Sequence, residues 1–309
     1  MKFGIAYPNL VDGQEIRQFA IRTEELGFES LWVGDHLVLP SEATSDYPYT
    51  RDGTFQRPSQ QPFIEPLTLL SYVASVTSRI QLGTTVIIVP YRHPIVQAKM
   101  FASLDALTGG RVICGVGVGW LRKEFEVLDA PFEERGAMTD EYIEIFKCLW
   151  TEELPEYNGR FHEISGITFE PKPVNGSIPI WVGGHSRRAI RRTVHYGDAW
   201  HPTRQTPEYV AEMLPYLRSY AQERGRNPDE IAISLKRGLH FTDLGFAEGG
   251  NPEAAGRLLG TTQEVIDDIK HCESLGIGQV TFDFRSADFA ECIAVIENLA
   301  QRVVPEFSD

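Results

Sequence analysis

Asp35 and His36 stand side by side directly after a short apolar run, "SLWVG". A carboxylate next to an imidazole can fix which ring nitrogen carries the proton and keep its affinity near neutrality, which suits proton transfer. Nearly the same word recurs at 181–185, where "WVGGH" stands for "WVGDH". There Gly183 and Gly184 lead through His185 to Ser186, a residue type that caps helices, and the open N–H groups of a helix start hold anions. Arg187, Arg188, Arg191 and Arg192 follow. Cations there oppose the helix dipole and repel one another at i,i+4 unless an anion neutralises them. In a chain of net charge −14 this crowding points to a bound phosphate.

A third stretch, "CGVGVGW" at 114–120, alternates glycines at 115, 117 and 119 and then offers Trp120. Missing side chains let a flat ring or a phosphate approach the backbone, and an indole makes a large apolar wall. The same residues also suit an ordinary strand end followed by a partly buried aromatic. His201, in "DAWHP", could reach the same place or simply begin a turn before Pro202, whereas His93 before Pro94 marks a helix start. No H-x-x-x-H, H-E-x-x-H or clustered Cys/His pattern supports a metal, and no G-x-S-x-G supports a serine hydrolase.

The elements that must hold these residues alternate along the whole chain. Short apolar runs occupy 2–7, 30–34, 80–88, 111–117, 178–183, 197–201, 231–238 and 279–284. Helical patterns lie between them at 13–27, 94–110, 139–150, 206–225, 261–276 and 288–303. In the first, Ile16, Phe19, Ala20 and Leu26 share one face. Pro94 and Pro207 open helices, and Gly27, Gly109 and Gly276 close them. Strands apolar on both faces alternating with helices predict an α/β fold, a single (β/α)8 TIM-type barrel spanning residues 1–309, over an open doubly wound sheet. No G-x-G-x-x-G follows the first strand. Long insertions are expected after strand 2 (35–65), before strand 5 (152–177) and after strand 7 (239–260). The first and third leave strand C-termini, the face where barrel chemistry sits.

With 309 residues, 42% hydrophobic and 23% charged, the composition is that of a globular enzyme whose core needs no staple. The acidic balance argues against nucleic acid or an anionic membrane as partner. Cys114, Cys148, Cys272 and Cys292 are widely spaced and read as reduced, mostly buried thiols. The N-terminus lacks the apolar core of a signal peptide, and "VIIVPY" is far too short to span a bilayer, so a cytoplasmic location is expected.

The ordered blocks "GFESLWVGDHLVLP", "LGTTVIIVPYRHPIVQAKMFASLDALTGGRVICGVGVGW" and "IPIWVGGHSRRAIRRTVHYGDAWHP" resemble the luciferase-like monooxygenase superfamily, and within it the coenzyme F420-dependent oxidoreductases. The resemblance implies a deazaflavin, or alternatively FMN, across the C-terminal mouth of the barrel. It implies a bulge in the third strand with a non-prolyl cis peptide at Thr85–Val86 beneath the ring. Gly117, Val118 and Gly119 match the family's turn near the ring and its side chain. Gly183, Gly184, His185 and Ser186 match its phosphate site, with Arg187 and its neighbours supplying cations for a longer anionic tail. Asp35 and His36 match the pair beside the redox-active edge, where His36, oriented by Asp35, would exchange the proton that accompanies hydride transfer.

One position departs from the pattern. The sugar-phosphate dehydrogenases of this family carry Glu where this chain has Trp120, so a small, rather apolar organic substrate is expected, in a pocket including Trp120 and His201. Two rival readings keep the fold. One is an FMNH2-dependent monooxygenase using dioxygen, and the other is a barrel that binds a flavin or deazaflavin without catalysis. Relatives often pair through barrel helices, which makes a homodimer an expectation.

Overall fold

The computed structural model describes residues 1–42, 63–247, 256–284 and 286–307. Eight parallel strands pair in chain order and close on themselves: β1 (Lys2–Ala6), β2 (Ser30–Val33), β3 (Gln81–Thr84), β4 (Val112–Gly117), β5 (Ile180–Gly183), β6 (Ala199–His201), β7 (Ala232–Phe241) and β8 (Gln279–Asp283). The ring closes where β8 pairs with both β7 and β1, Ile5 lying opposite Phe282. This is the expected TIM-type barrel.

Nine helices are formed by the described residues: α1 (Gly13–Glu25), α2 (Pro66–Ala74), α3 (Pro94–Thr108), α4 (Arg122–Val127), α5 (Arg135–Thr151), α6 (Arg187–Tyr196), α7 (Pro207–Glu223), α8 (Thr262–Ser274) and α9 (Phe289–Asn298). Their ends follow local rules. Asp12 accepts the N–H groups of Gln14 and Glu15 before α1, and Thr261 with Glu264 forms a reciprocal capping box before α8. Gly109, at φ +70°, turns the chain out of α3. Three helices lie outside the six periodic patterns: α2, α4 and α6, the last expected only from its Ser186 cap. Pro66–Ala74 is apolar almost all round, and Arg122–Val127 is under two turns, so neither carries a clear 3.6-residue stripe.

The strands divide their side chains between two interiors. Ile5, Leu31, Leu82, Val182 and Val280 point outward and pack with the helices in one continuous core. The inner face is not uniformly apolar, contrary to the sequence expectation. Ser30, His201, Ser234, Gln279 and Thr281 are buried among the strands. Most have local partners: Trp32 Nε1 and Gln279 Nε2 both donate to Ser30 Oγ, at 2.7 and 3.2 Å. Trp32 turns into the barrel, stacks on His201 with centroids 5.0 Å apart, and meets Trp181 at a tilt of 39°, 4.8 Å away. Gly83 is required beside it, because a Cβ there would overlap the indole.

The insertions are only partly as expected. Of 35–65, residues 43–62 lie outside the described residues, as do 248–255 of the third insertion. β7 runs on to Phe241, and Leu258–Gly260 adds parallel to its end. Within 152–177, Tyr157–Asn158 pairs with Glu163–Ile164. All four thiols are buried, and no helix among the described residues is long and apolar enough to cross a membrane.

Candidate active site

A cavity of about 630 Å³ opens at the C-terminal ends of the strands. Its floor is the end of β3. The Thr85–Val86 peptide is cis, as the resemblance implies. Thr85 N–H donates to Val33 O at 2.7 Å, and Ile87–Ile88 rejoin the sheet beside Val116 and Gly117. The Val86 side chain is wedged between two neighbouring strands. A Cβ at Gly117 would overlap its Cγ2, and one at Gly183 would fall 2.7 Å from its Cγ1. The glycines of "CGVGVG" therefore make room first for the protein's own β3 bulge. Gly119 serves the loop itself, with φ +79° and no space for a Cβ beside Phe125 and Ile88.

His36 lines one wall, but its partner is not Asp35. His36 Nδ1 lies 2.8 Å from Glu124 Oε2, and Glu124, on α4, is 1% exposed. The same carboxylate accepts the N–H groups of Leu37 and Val38 at 2.6 and 3.1 Å and the Tyr91 hydroxyl at 2.9 Å. Burial works against a charge on Glu124, yet bonds from His36, Leu37 and Val38 outweigh it and hold the carboxyl below its usual range. Burial and the Glu124 charge together push the Tyr91 phenol up. Phe63 and Trp120 meet the His36 ring edge to face, with centroids 5.2 and 6.3 Å away.

Asp35 instead anchors the loop. Its carboxylate takes both guanidinium arms of Arg92, at 2.7 and 2.9 Å, and the Ile88 N–H at 2.9 Å. Arg92 also reaches Glu65 at 3.0 Å. Burial would lower the Arg92 pKa, but the two carboxylates raise it overall. The orienting role expected of Asp35 thus falls to Glu124. Asp35 ties β2 to the end of β3 through a bidentate pair, the stronger geometry of such bonds.

At the far end of the floor the chain turns through Gly183, Gly184 and His185 into α6. Gly184 has φ +95°, and a Cβ there would lie 3.2 Å from Ala189 Cβ. Trp200 Nε1 holds Gly184 O at 2.8 Å and Tyr209 OH holds His185 O at 2.9 Å. Ser186 caps α6 through Ala189 N–H. The arginines divide. Arg188 and Arg192 line the cavity, whereas Arg187 lies off it, over the Tyr216 ring at 4.8 Å. Arg192 is bound to Asp140 at 2.5 Å, while Arg188 has no hydrogen bond or ion pair among the described residues. Arg135, at the start of α5, adds a cation that sequence reasoning missed. Its pKa is lowered by burial and by the charges of Arg122 and Arg188.

His201, expected in the pocket, lies beneath it. It is 1% exposed, with Nε2 3.0 Å from Thr85 Oγ1 and Nδ1 2.9 Å from Ser234 Oγ. Burial, aided by the Lys236 charge, pushes its pKa down to about 3, so it stays neutral as a support for the floor. The remaining pole carries Asn9, Arg204 and the Lys236–Asp283 pair, 3.2 Å apart. Asp35, His36, Thr85, Val86, Gly117, Val118, Gly119, Trp120, Gly183, Gly184, His185 and Ser186 all border one cavity; Arg187 and His201 do not.

The model of the luciferase-like monooxygenase family matches residues 1–244. An uncharacterized protein of Mycobacterium tuberculosis (strain ATCC 25618 / H37Rv) is 35% identical over 211 residues, 68% of this chain and 73% of its own length. The phthiodiolone/phenolphthiodiolone dimycocerosates ketoreductase of Mycobacterium tuberculosis (strain ATCC 25177 / H37Ra) is 34% identical over 224 residues, 69% of this chain and 58% of its own. Among solved structures, an F420-dependent secondary alcohol dehydrogenase in complex with an F420-acetone adduct aligns with a TM-score of 0.79 at 18% identity, over 100% of this chain and 99% of its own. The monooxygenase RslO1 from Streptomyces bottropensis aligns at 0.77 and 22% identity over 100% of both. At those identities the structures speak to the fold, and the family rests on the match to residues 1–244: the chain belongs to the luciferase-like monooxygenases, a family of oxidoreductases and monooxygenases.

Proposed function

We propose that the protein is a coenzyme F420-dependent oxidoreductase acting on an apolar ketone or the corresponding secondary alcohol. The observation that carries this reading is the surplus of cations beside α6. One phosphate would be satisfied by Gly184, Ser186 and the helix start. Arg188, without a partner among the described residues, and Arg135, held by the Gly119 and Phe132 carbonyls and by no carboxylate among those residues, fit a ligand with further negative charge, such as the carboxylate tail of a deazaflavin. The left-handed Gly184 and the Val86 floor fit the same group, leaving space for a flat ring where side chains would intrude.

When bound, a deazaflavin supplies a ring carbon that gives or takes a hydride. Val86 would back the ring, and Ser186, Arg188 and Arg135 would hold the anionic end. His36 would exchange a proton with the substrate oxygen, while Phe63, Ile88 and Trp120 keep water from the reacting centre. The carbonyl or carbinol class draws on the relative named as a ketoreductase and on the fold neighbour described as a secondary alcohol dehydrogenase. Phe63, Ile64, Leu69, Ile88 and Trp120 on the cavity wall support apolar substituents.

The test is a titration of the apo-protein with F420 and with FMN, followed by fluorescence. F420 is expected to bind more tightly, and Arg188→Ala to weaken F420 more than FMN. Tighter binding of FMN, with dioxygen consumed on reduction, would make the protein a flavin monooxygenase and overturn the proposal. Binding without turnover of any ketone or alcohol would leave a carrier.

A further inference from the structure

We infer that Glu124 is a positioning residue, which holds His36 as the Nδ1–H tautomer and so makes Nε2 the atom that exchanges a proton inside the cavity. This rests on the reading of His36 as the proton-handling group. The buried carboxylate constrains what can surround it. Each oxygen of Glu124 receives two partners, Leu37 and Val38 N–H at Oε1 and His36 and Tyr91 at Oε2. An ionised carboxylate is acceptor-only, and four donors fill it. The two backbone groups can only donate, so a protonated carboxyl at Oε1 would face two N–H groups with a hydrogen of its own.

At Oε2 the same logic assigns the imidazole. Nδ1 meets an acceptor at 2.8 Å and must bring the hydrogen, which leaves the lone pair of a neutral ring on Nε2. Asp35, the carboxylate next to it in sequence, is committed to Arg92 and Ile88 N–H. Phe63 and Trp120 hold the ring edge to face, so it is fixed in orientation as well as in tautomer. A base at Nε2 takes the proton when an alcohol is oxidised, and the imidazolium returns it when a ketone is reduced. Anchoring Glu124 through Leu37 and Val38 also ties this geometry to the first residues after the Asp35–His36 pair.

The experiment reads the tautomer directly. The full-length protein labelled with 15N-histidine, without cofactor, is observed by long-range 1H–15N correlation, with His36 identified by its loss in His36→Ala. In the parent at a pH where the ring is neutral, Nδ1 is expected to be protonated and Nε2 bare. Glu124→Gln should reduce the Nδ1–H population, because a carboxamide can present either a donor or an acceptor to Nδ1. Tyr91→Phe, which removes another donor to the same oxygen, should leave the tautomer unchanged. With reduced F420 (F420H2) as hydride donor and a ketone substrate, Glu124→Gln should lower kcat about 10–100-fold, the scale seen when a carboxylate that orients a metal-ligating histidine is lost. Its cofactor Kd should hold within about twofold, and it should add nothing in a His36→Ala background, as expected of residues acting as one unit. A parent His36 that is mainly Nε2–H, or a Glu124→Gln protein with an unchanged tautomer, overturns the inference. The tautomer is read without cofactor, so failure of F420 to bind would defeat the proposed function and leave this result standing.

Discussion

The ends of β2 and β5 carry almost the same five residues and do different work. Their tryptophans behave alike, for Trp32 and Trp181 both turn into the barrel and meet at 4.8 Å. The following glycines both border the cavity. The paths then part. At 35 a side chain fixes the loop, with Asp35 clamped by Arg92, and His36 is presented to the cavity beside Glu124. At 184 there is no side chain, the backbone curls at φ +95°, and the chain runs into the capped start of α6. One strand plan thus yields a rigid platform for a side chain presented to the cavity or a curl of N–H groups of the kind that suits an anion. Which one results depends on whether the residue after Trp-Val-Gly anchors through its side chain or curls through its backbone.

The contrast can be broken at either end. His36→Ala should lower turnover about 10²–10⁴-fold, the range for a lost general acid or base, while cofactor affinity stays at the parent value. Turnover at the parent rate would remove His36 from the chemistry. Asp35→Ala should act on folding instead. It strands a buried guanidinium, which costs about 3–5 kcal/mol. Arg92 keeps Glu65, so the fall measured by urea unfolding should lie at the lower end of that range.

The aromatic stack joining the two strand ends should show itself in pH. His201 stays neutral down to about 3, against an ordinary 6.5. Between those values the unfolded chain binds a proton that the native state refuses, so stability is lost as the pH falls through the window and is fully present above it. From about pH 7 to pH 5 the loss should be on the order of 2 kcal/mol, and it should shrink in His201→Gln. An equal pH slope in both proteins would contradict it. The smallest effect is expected at the curl. Gly184→Ala places a Cβ in a left-handed conformation, at a cost of about 1–2 kcal/mol. If that strain falls on the bound state, cofactor affinity should drop about tenfold in a direct titration.

Much of the barrel was legible because strand and helix periods alternate without interruption. The turn into α6 was legible too, since Gly-Gly-His-Ser before a helix states a local rule. What stayed hidden was contact between distant segments. Glu124 lies 88 residues from His36, on a helix too short to show a pattern. Asp35 looked like the partner because adjacency is visible in sequence, yet its partner Arg92 is 57 residues away. Residues next to each other on an extended chain point to opposite sides, so neighbours such as Asp35 and His36 are poorly placed to bond. Likewise, nothing local revealed that His201 would end beneath Thr85, or that Arg135 would join Arg188 from another helix.

The wedge of Val86 between Gly117 and Gly183 bears on how this site could be redesigned. Neither glycine can grow while Val86 keeps its size, so three positions on three strands share one allowance of volume. A library that varies the two glycines singly would find each intolerant, and would read two spacers as if they gripped a ligand. Varied jointly, an alanine at 86 should admit an alanine at 117 or 183, moving the floor sideways at nearly constant packing. On the proposed function, exchanging one tricyclic cofactor for another would therefore be a problem in coordinated residue sizes along the floor before one of polar contacts.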